Sequence, residues 1–257
     1  MDVAARGGAA GATHVRNSLR RAIVTGDLAP GQRIVAEEVA TALRVTRNGV
    51  RQALHELAAE GLIDRVRGSN ARVRVVPVGE AVEILECRLA LDGLLAARAA
   101  VGATEDERRR LRAAGDRLAA AADRADPVDC FRLGDEVHDL IAGLARQPTA
   151  AGIVARLDAR VARLRFRVTL RPGRLRDSAR EHAAIVQAVA GRHPVAAELA
   201  AQAHVRSLIA TVVRHHEKES LCRNETRPPT MSPTSAISSC SPPPSTRASS
   251  SSRATSA

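Results

Sequence analysis

Apolar residues in the first third of the chain recur at helical spacing in three runs that are separated by turns. The first run covers residues 15–25, and a segment rich in turn residues, from Gly26 to Gly31, follows it. The second and third runs cover residues 36–43 and 47–60, with a break of three residues between them. This pattern predicts three helices, of which the last two form a helix-turn-helix.

The third helix carries polar residues at its start that are suited to nucleic acid. Thr46 stands where an N-cap belongs, and Arg47, Asn48 and Arg51 project opposite the apolar face. Helix N-terminal amides, the helix dipole and guanidinium groups all favour an anionic partner, and Arg and Asn can read base edges. The segment therefore predicts a DNA recognition helix. The alternative is an antiparallel helix pair with a solvated basic face.

Two short β-branched runs, LIDRV and ARVRVV, follow this helix and flank the basic, glycine-containing segment RGSN. They predict a β-hairpin, which directly after a recognition helix is the wing of a winged helix. Residues 14–76 are thus predicted to form a winged helix-turn-helix domain of three helices and a small hairpin. Residues 1–13, rich in Gly and Ala, are predicted to be disordered.

The rest of the chain divides into a helical region and a tail. A linker at 77–79 leads into residues 80–218, where apolar periods are helical and no alternating strand pattern occurs. About six helical segments predict an all-helical bundle, so the fold class is mainly α. Residues 219–257 are dominated by Ser, Pro, Thr and Ala, which predicts a disordered tail.

Composition narrows the function classes. With two Phe and no Trp or Tyr, the chain lacks the aromatic platforms used to bind single-stranded nucleic acid. The formal charge is +11, and residues 1–76 are the most basic part per residue, with 12 Arg against 7 acids, a net +5. Four cysteines without C-x-x-C spacing indicate neither a disulfide framework nor a cysteine zinc site. Without a signal-like or membrane-spanning apolar run, we expect a cytoplasmic protein that does not bind membranes.

Three histidines in the helical region have the spacing of a possible metal site. Asp135 and His138 are three residues apart and share a helix face. His182 and His204 lie about two and three turns to either side of the turn at Gly191–Pro194, so antiparallel packing brings them to one level. Three imidazoles and a carboxylate suit Zn, Ni or another divalent ion. The alternative is three unrelated histidines, two exposed and one buried with a satisfied partner.

The strings IVTGDLAPGQRI, VTRNGVRQALHELAAEGLI and RGSNARV closely resemble the N-terminal domain of GntR-family bacterial transcription regulators. That family's pattern is a helix ending in G-x-L-x-P-G, then S/T-R-x-x-V-R-x-A-L-x-x-L-x-x-x-G-L, then a wing with a glycine tip. Glu37 stands where some members have Arg, and Gly49 replaces a common Pro. The resemblance implies that six residues contact operator DNA or form the wing tip: Thr46, Arg47, Asn48, Arg51, Arg67 and Gly68.

The helical region is similar to the FCD ligand-binding domain of the FadR-type branch of this family, including its E-H motif and a His 22 residues later. The family's D-x-x-x-H would have its Asp at the position of Gly134, whereas the nearest acid here is Asp135. Either Asp135 substitutes from the next position, or three histidines form a weaker site. The resemblance implies a metal set of Asp135, His138, His182 and His204.

The early R-x-x-x-E/D of the FCD pattern is matched by Arg88 and Asp92. Arg88 is the candidate to pair with an effector carboxylate, because guanidinium binds carboxylate bidentately. Its alternative is a structural salt bridge with Asp92. We therefore expect a homodimeric repressor of operator DNA that responds to a small carboxylate-containing effector. The alternatives are a non-specific basic DNA-binding protein and, in a different class, a metal-dependent hydrolase.

Overall fold

A computed structural model of the chain describes residues 8–65 and 70–222, which form nine α-helices and three short β-strands. In chain order these are α1 (Gly8–Thr25), β1 (Arg33–Val35), α2 (Ala36–Leu43), α3 (Arg47–Ala59), β2 (Ile63–Arg65), β3 (Asn70–Val73), α4 (Val78–Gly102), α5 (Glu105–Asp123), α6 (Pro127–Leu144), α7 (Pro148–Thr169), α8 (Arg174–Ala190) and α9 (Pro194–Cys222). Among the described residues, no helix combines the length and apolarity that a membrane crossing requires.

The first three helices and the strands share one hydrophobic core, so the predicted winged helix-turn-helix fold is confirmed. The sheet is antiparallel with the order β1-β3-β2, and it pairs Ile34 with Ala71 and Ile63 with Val73. Strand β1 was not predicted, because three residues are too short to show an alternating pattern. Its pairing with β3 extends the two-stranded wing to three strands.

Local chemistry explains the helix-turn-helix. Arg44 ends α2 in the left-handed conformation, and Thr46 caps α3 by accepting a hydrogen bond from the Gly49 amide at 3.2 Å. This confirms the predicted cap. Below it, Val50 and Leu57 are buried against the domain core, which orients the opposite face of α3 outward.

Helices extend into the N-terminal and C-terminal segments that the sequence predicted to be disordered, and into the segment that it predicted to be a linker. Helix α1 begins at Gly8, inside the segment expected to be disordered, and Ala12 is buried where its backbone approaches Gly49 of α3. Small residues allow this close contact, which the Gly and Ala content alone did not indicate. Helix α4 begins at Val78 and takes up most of the predicted linker, and α9 continues to Cys222, past the predicted tail boundary. Residues 1–7, 66–69 and 223–257 lie outside the described part.

Residues 78–222 contain helices and turns and no strand, which confirms the predicted helical domain. Helices α4 and α9 pack antiparallel along their length: one core joins Leu85 to Leu208, and the neighbouring core joins Leu95 to Ala201. The remaining helices pack around this pair. Alanine, leucine and valine fill the interior, as expected for a chain that has almost no aromatic residues.

Three arginine contacts dock the two domains onto each other. Arg163 of α7 donates to the carbonyl oxygens of Ile23 and Leu28, at 3.0 and 2.9 Å. Arg160 of the same helix pairs with Glu80, which also accepts from Arg74 at 2.8 Å. These contacts fix the end of α1 and the wing against α7 and the start of α4.

Gly61, directly after α3, lies at the same junction and provides a test of it. Its φ is +78°, and an added Cβ would stand 2.8 Å from Cγ of Arg160. We expect Gly61→Ala to lower the free energy of unfolding by about 1–2 kcal/mol, because a side chain is strained at this φ and collides across the junction. Urea unfolding measures this change.

Gly79→Ala is the matched control, since nothing lies within 4 Å of its added Cβ and the residue is in helix α4. It should raise stability by roughly 0.5–1 kcal/mol. Equal effects of the two substitutions would contradict the tight junction at Gly61.

Candidate functional site

The outward face of α3 carries the residues that sequence predicted for DNA. Arg47, Asn48 and Arg51 are exposed, whereas Thr46 is half-buried as the helix cap. The Arg47 guanidinium lies 2.5 Å from the carboxylate of Glu37 on α2, and both side chains are more than half exposed. Exposed pairs of this kind contribute little stability, so Arg47 can exchange Glu37 for another anion.

Two further residues belong to this face and were not predicted. Gln52 and His55 are exposed one turn beyond Asn48 and Arg51, and the His55 ring nitrogen lies 3.4 Å from Arg65 of β2. Extending the helical period by one turn would have found both, since residues four apart share a helix face. Two of the predicted contacts, Arg67 and Gly68, lie outside the described residues.

Three histidines from three helices meet inside the helical domain. His138 (α6), His182 (α8) and His204 (α9) have candidate ligand nitrogens that all lie within 4.8 Å of one another. The Nε2 atoms of His138 and His182 are 3.2 Å apart, and the His182 and His204 rings are 4.4 Å apart at their centroids. His182 and His204 are buried, and His138 is half-buried. The three imidazoles therefore converge on one point.

Neighbouring groups fix the orientation of two of these rings. His182 Nδ1 donates to the carbonyl oxygen of Ser178 at 2.7 Å, and His204 Nδ1 donates to the Glu181 carboxylate at 2.7 Å. Arg174 holds both oxygens of Glu181, at 2.7 and 2.8 Å. Because Nδ1 carries the proton in both rings, Nε2 keeps its lone pair. Such outer contacts are typical of histidines that bind metal.

The surroundings of the three histidines determine the protonation state of their imidazoles. Burial is the largest cause that lowers the pKa of His138 and His204, although Glu181 acts to raise the pKa of His204, and burial brings the pKa of His182 to about 3. Burial acts to raise the pKa of Glu181, but hydrogen bonds from His204 and Arg174 hold it well below its usual range. All three imidazoles are thus neutral at neutral pH, the state that metal coordination requires.

The fourth predicted ligand, Asp135, is not in this group among the described residues. Its carboxylate accepts a hydrogen bond from Arg165 at 2.8 Å. Successive helix residues point about 100° apart, so the shift from position 134 to 135 turns the carboxylate away from the cluster. An added Cβ at Gly134 would lie 3.4 Å from His182 Nε2, and a cavity of about 30 Å³ lies there. The described residues thus present three histidine ligands beside space for a water molecule.

Arg88 is almost completely buried, with 2% of its side chain exposed. One terminal nitrogen donates to Asp92 at 3.0 Å and the other donates to Asp158 of α7, while Nε is buried without a hydrogen-bond partner. The salt bridge with Asp92 that was considered as an alternative is therefore present. Nε is thus a donor enclosed by protein atoms, and a molecule in the neighbouring cavity does not reach it in this arrangement.

A cavity of about 520 Å³ adjoins these groups. Its polar lining includes Arg88, Asp135, His138 and Arg165, and its apolar lining includes Leu95 and Ile141. This volume suits a small organic molecule. Part of the opposite wall comes from the other domain, at α1 and at the end of α3.

Comparison with known protein families finds one match for the N-terminal domain and another for the helical domain. The family described as "Bacterial regulatory proteins, gntR family" matches residues 12–73, and the FCD domain matches residues 83–207. The chain belongs to the GntR family. It is a DNA-binding transcription regulator of the FadR-like type, with an FCD domain after its winged helix.

Individual relatives of this GntR-family regulator agree. It is 28% identical over 202 residues to the HTH-type transcriptional repressor RspR of Escherichia coli (strain K12), covering 79% of this chain and 89% of that protein. Among solved structures, Escherichia coli McbR/YncC matches with a TM-score of 0.72 at 18% identity, over 80% of this chain and 98% of that one. A putative GntR regulator from Rhodococcus sp. RHA1 matches with a TM-score of 0.63 at 22% identity, over 80% and 98%. Both structures share the fold.

The histidine cluster yields a metal-binding test. His182→Ala should abolish the uptake of one Zn²⁺ per chain in a chelator competition, because two imidazoles alone hold zinc poorly. Gly134→Asp should tighten binding by about tenfold or more, since it adds a carboxylate beside His182 Nε2.

The control is His55→Ala, which removes an exposed histidine of the other domain and should leave zinc affinity unchanged. Zinc binding that survives His182→Ala would rule out this cluster as the site.

Proposed function

We propose that this GntR-family regulator is a homodimeric repressor that acts in the bacterial cytoplasm. Its winged domain would read an operator half-site, and its helical domain would bind a small organic acid that alters operator affinity. The observation that carries the proposal is the physical continuity of the two sites, because the cavity beside the histidine cluster is walled partly by the end of the recognition helix. The name of the relative RspR supports the repressor role.

The operator-binding surface is proposed to be the outer face of α3. Thr46, Arg47, Asn48 and Arg51 lie at its first turns, where free amides and the helix dipole favour phosphate. Exposed Arg and Asn side chains can pair with guanine and adenine edges in the major groove. Arg67 and Gly68 are proposed to contact DNA from the wing tip, on the resemblance to the family.

A divalent metal, Zn or Ni, is proposed to bind His138, His182 and His204. Their neutral state, their converging nitrogens and the hydrogen bonds that orient them fit such an ion. When bound, it would supply a Lewis-acid centre for an oxygen of the effector. Arg88, whose side chain lines the cavity, is proposed to pair with a carboxylate of the same effector.

Metal-dependent hydrolysis was the alternative in a different class. The chain belongs to a family of transcription regulators, which favours regulation. Non-specific DNA coating was the other alternative, and the FCD domain with its cavity argues against it, since a coating protein needs neither.

The proposed dimer would use an apolar patch on the α4–α9 pair. Leu94 and Val101 on α4 and Val195 and Leu199 on α9 are 41–72% exposed, at the end where these two helices pack side by side. Exposed apolar residues clustered on one surface are typical of interfaces. A two-fold dimer through this patch would present two winged domains to two half-sites.

Sequence-specific DNA binding is tested by a gel-shift assay at fixed salt. The DNA fragments come from upstream of the protein's own gene and of neighbouring genes. Arg47→Ala and Asn48→Ala should each weaken specific binding by about 1–3 kcal/mol if they read a base. Arg180→Ala removes an equally exposed arginine of the helical domain, which pairs with Asp177, and should have no effect.

If the wild-type protein bound random DNA as tightly as these upstream fragments, with a steep salt dependence, sequence-specific operator binding would be refuted and non-specific coating favoured.

Dimerisation is tested by light scattering of Leu199→Glu, which introduces a charge into the patch. The variant should be monomeric, and its operator affinity should fall by roughly 100-fold or more, because the winged domains of two protomers are no longer linked. Leu170→Glu, at a residue that is 52% exposed away from the patch, is the control and should stay dimeric. A dimeric Leu199→Glu variant would move the interface elsewhere.

A further inference from the structure

The large cavity has one guanidinium group that belongs to the DNA-binding domain. Arg20 of α1 lines it, together with Ala59 at the end of α3 and the adjacent Glu60. We infer that Arg20 binds an acidic group of the effector, so that the ligand contacts both domains at once. This inference rests on the proposed function and specifies how its ligand is held.

The inner arginines leave little capacity for a second acidic group. Arg88 has only Nε without a partner, and both terminal nitrogens of Arg165 are occupied, by Asp158 at 2.5 Å and by Asp135 at 2.8 Å. Freeing Arg88 would leave the buried Asp92 without this ion pair, which is costly, and freeing Arg165 would leave the half-buried Asp135 without its ion pair. An effector can therefore obtain no bidentate pair from these arginines unless an existing ion pair breaks.

Arg20 has the capacity that the inner arginines lack. Within the described part of the chain, its hydrogen bond is a single one, from Nη1 to the Glu60 carboxylate at 3.3 Å, and 42% of its side chain is exposed. Such a long, partly solvated pair is weak. The other guanidinium nitrogens can form a bidentate pair with a carboxylate in the cavity.

The choice of effector follows from two guanidinium groups that line the cavity. Arg88 is 2% exposed and Arg20 is 42% exposed, so the two guanidinium groups lie at different depths of the cavity, and a molecule that pairs with both needs two acidic groups. The cavity wall is partly apolar, with Leu95 and Ile141. A small dicarboxylate or hydroxydicarboxylate has this chemistry, whereas a monocarboxylate would engage one guanidinium only.

Binding through Arg20 would act on the recognition helix directly. Glu60 is the C-cap residue of α3, and it would lose its partner when Arg20 turns to the ligand. The coupling between ligand and operator then arises because the ligand competes with Glu60.

The test uses the full-length, Zn²⁺-loaded protein and isothermal titration with succinate, malate and citrate, with lactate as the single-acid comparison. Arg20→Gln should weaken binding of the di- and tricarboxylates roughly tenfold or more and affect lactate much less. Glu60→Gln should tighten their binding, because Arg20 no longer has a competing carboxylate. A purely structural role of the pair would weaken binding in both variants.

Arg16→Gln is the matched control. Arg16 lies one turn earlier on α1, pairs with Glu56 at 3.4 Å and does not line the cavity, so acid binding should be unchanged. Equal affinities of Arg20→Gln and wild type for every acid would overturn the inference.

Operator binding measured on the same samples separates this inference from the proposed function. If none of the acids binds the wild-type protein while the operator is bound specifically, the dicarboxylate assignment fails and the regulator stands. If specific operator binding is absent as well, the proposed function itself fails.

Discussion

A half-buried carboxylate, that of Asp158, links helices of the helical domain through ion pairs. Asp158 of α7 accepts from Arg88 of α4 and from Arg165, and Arg165 continues to Asp135 of α6. Burial acts to raise the pKa of Asp158, but the two arginines outweigh it and keep the group charged. Removing Arg165 would leave Asp135 without its ion pair and Asp158 with one arginine instead of two, so the arrangement of α4, α6 and α7 depends on this chain of ion pairs.

The histidine cluster depends on this arrangement for its position. His138 stands on α6, the helix that Asp135 anchors to α7, while His182 and His204 are held by their own contacts to Ser178 and Glu181. The ion pairs that link Arg88, Asp158, Arg165 and Asp135 are therefore charged neighbours of the three neutral imidazoles. Both groups contribute to the wall of the large cavity, so a ligand there would lie beside His138 and Arg88.

Much of the fold was predictable because it depends on local signals. The Thr46 cap, the apolar period of α3 and the helical character of residues 78–222 follow from short-range pattern, and the levels of His182 and His204 follow from the rise of a helix. The sequence left open whether Asp135 is a ligand, although the change of about 100° between successive helix positions already argued against it. The contribution of Arg20 and Glu60 to the cavity depends on how two domains dock, for which a single sequence has no periodic signal.

Helix α3 connects the cavity to the surface that is proposed to bind DNA. Its C-terminal end borders the cavity, and its first turn, 13 residues earlier, carries Arg47 and Asn48. At about 1.5 Å per residue the two ends are about 20 Å apart, so a tilt of about 5° at Glu60 moves the far end by nearly 2 Å. Hydrogen bonds to base edges tolerate only a few tenths of an ångström. In the proposed operator complex, a small tilt of α3 is therefore enough to move its side chains out of hydrogen-bonding distance from the bases.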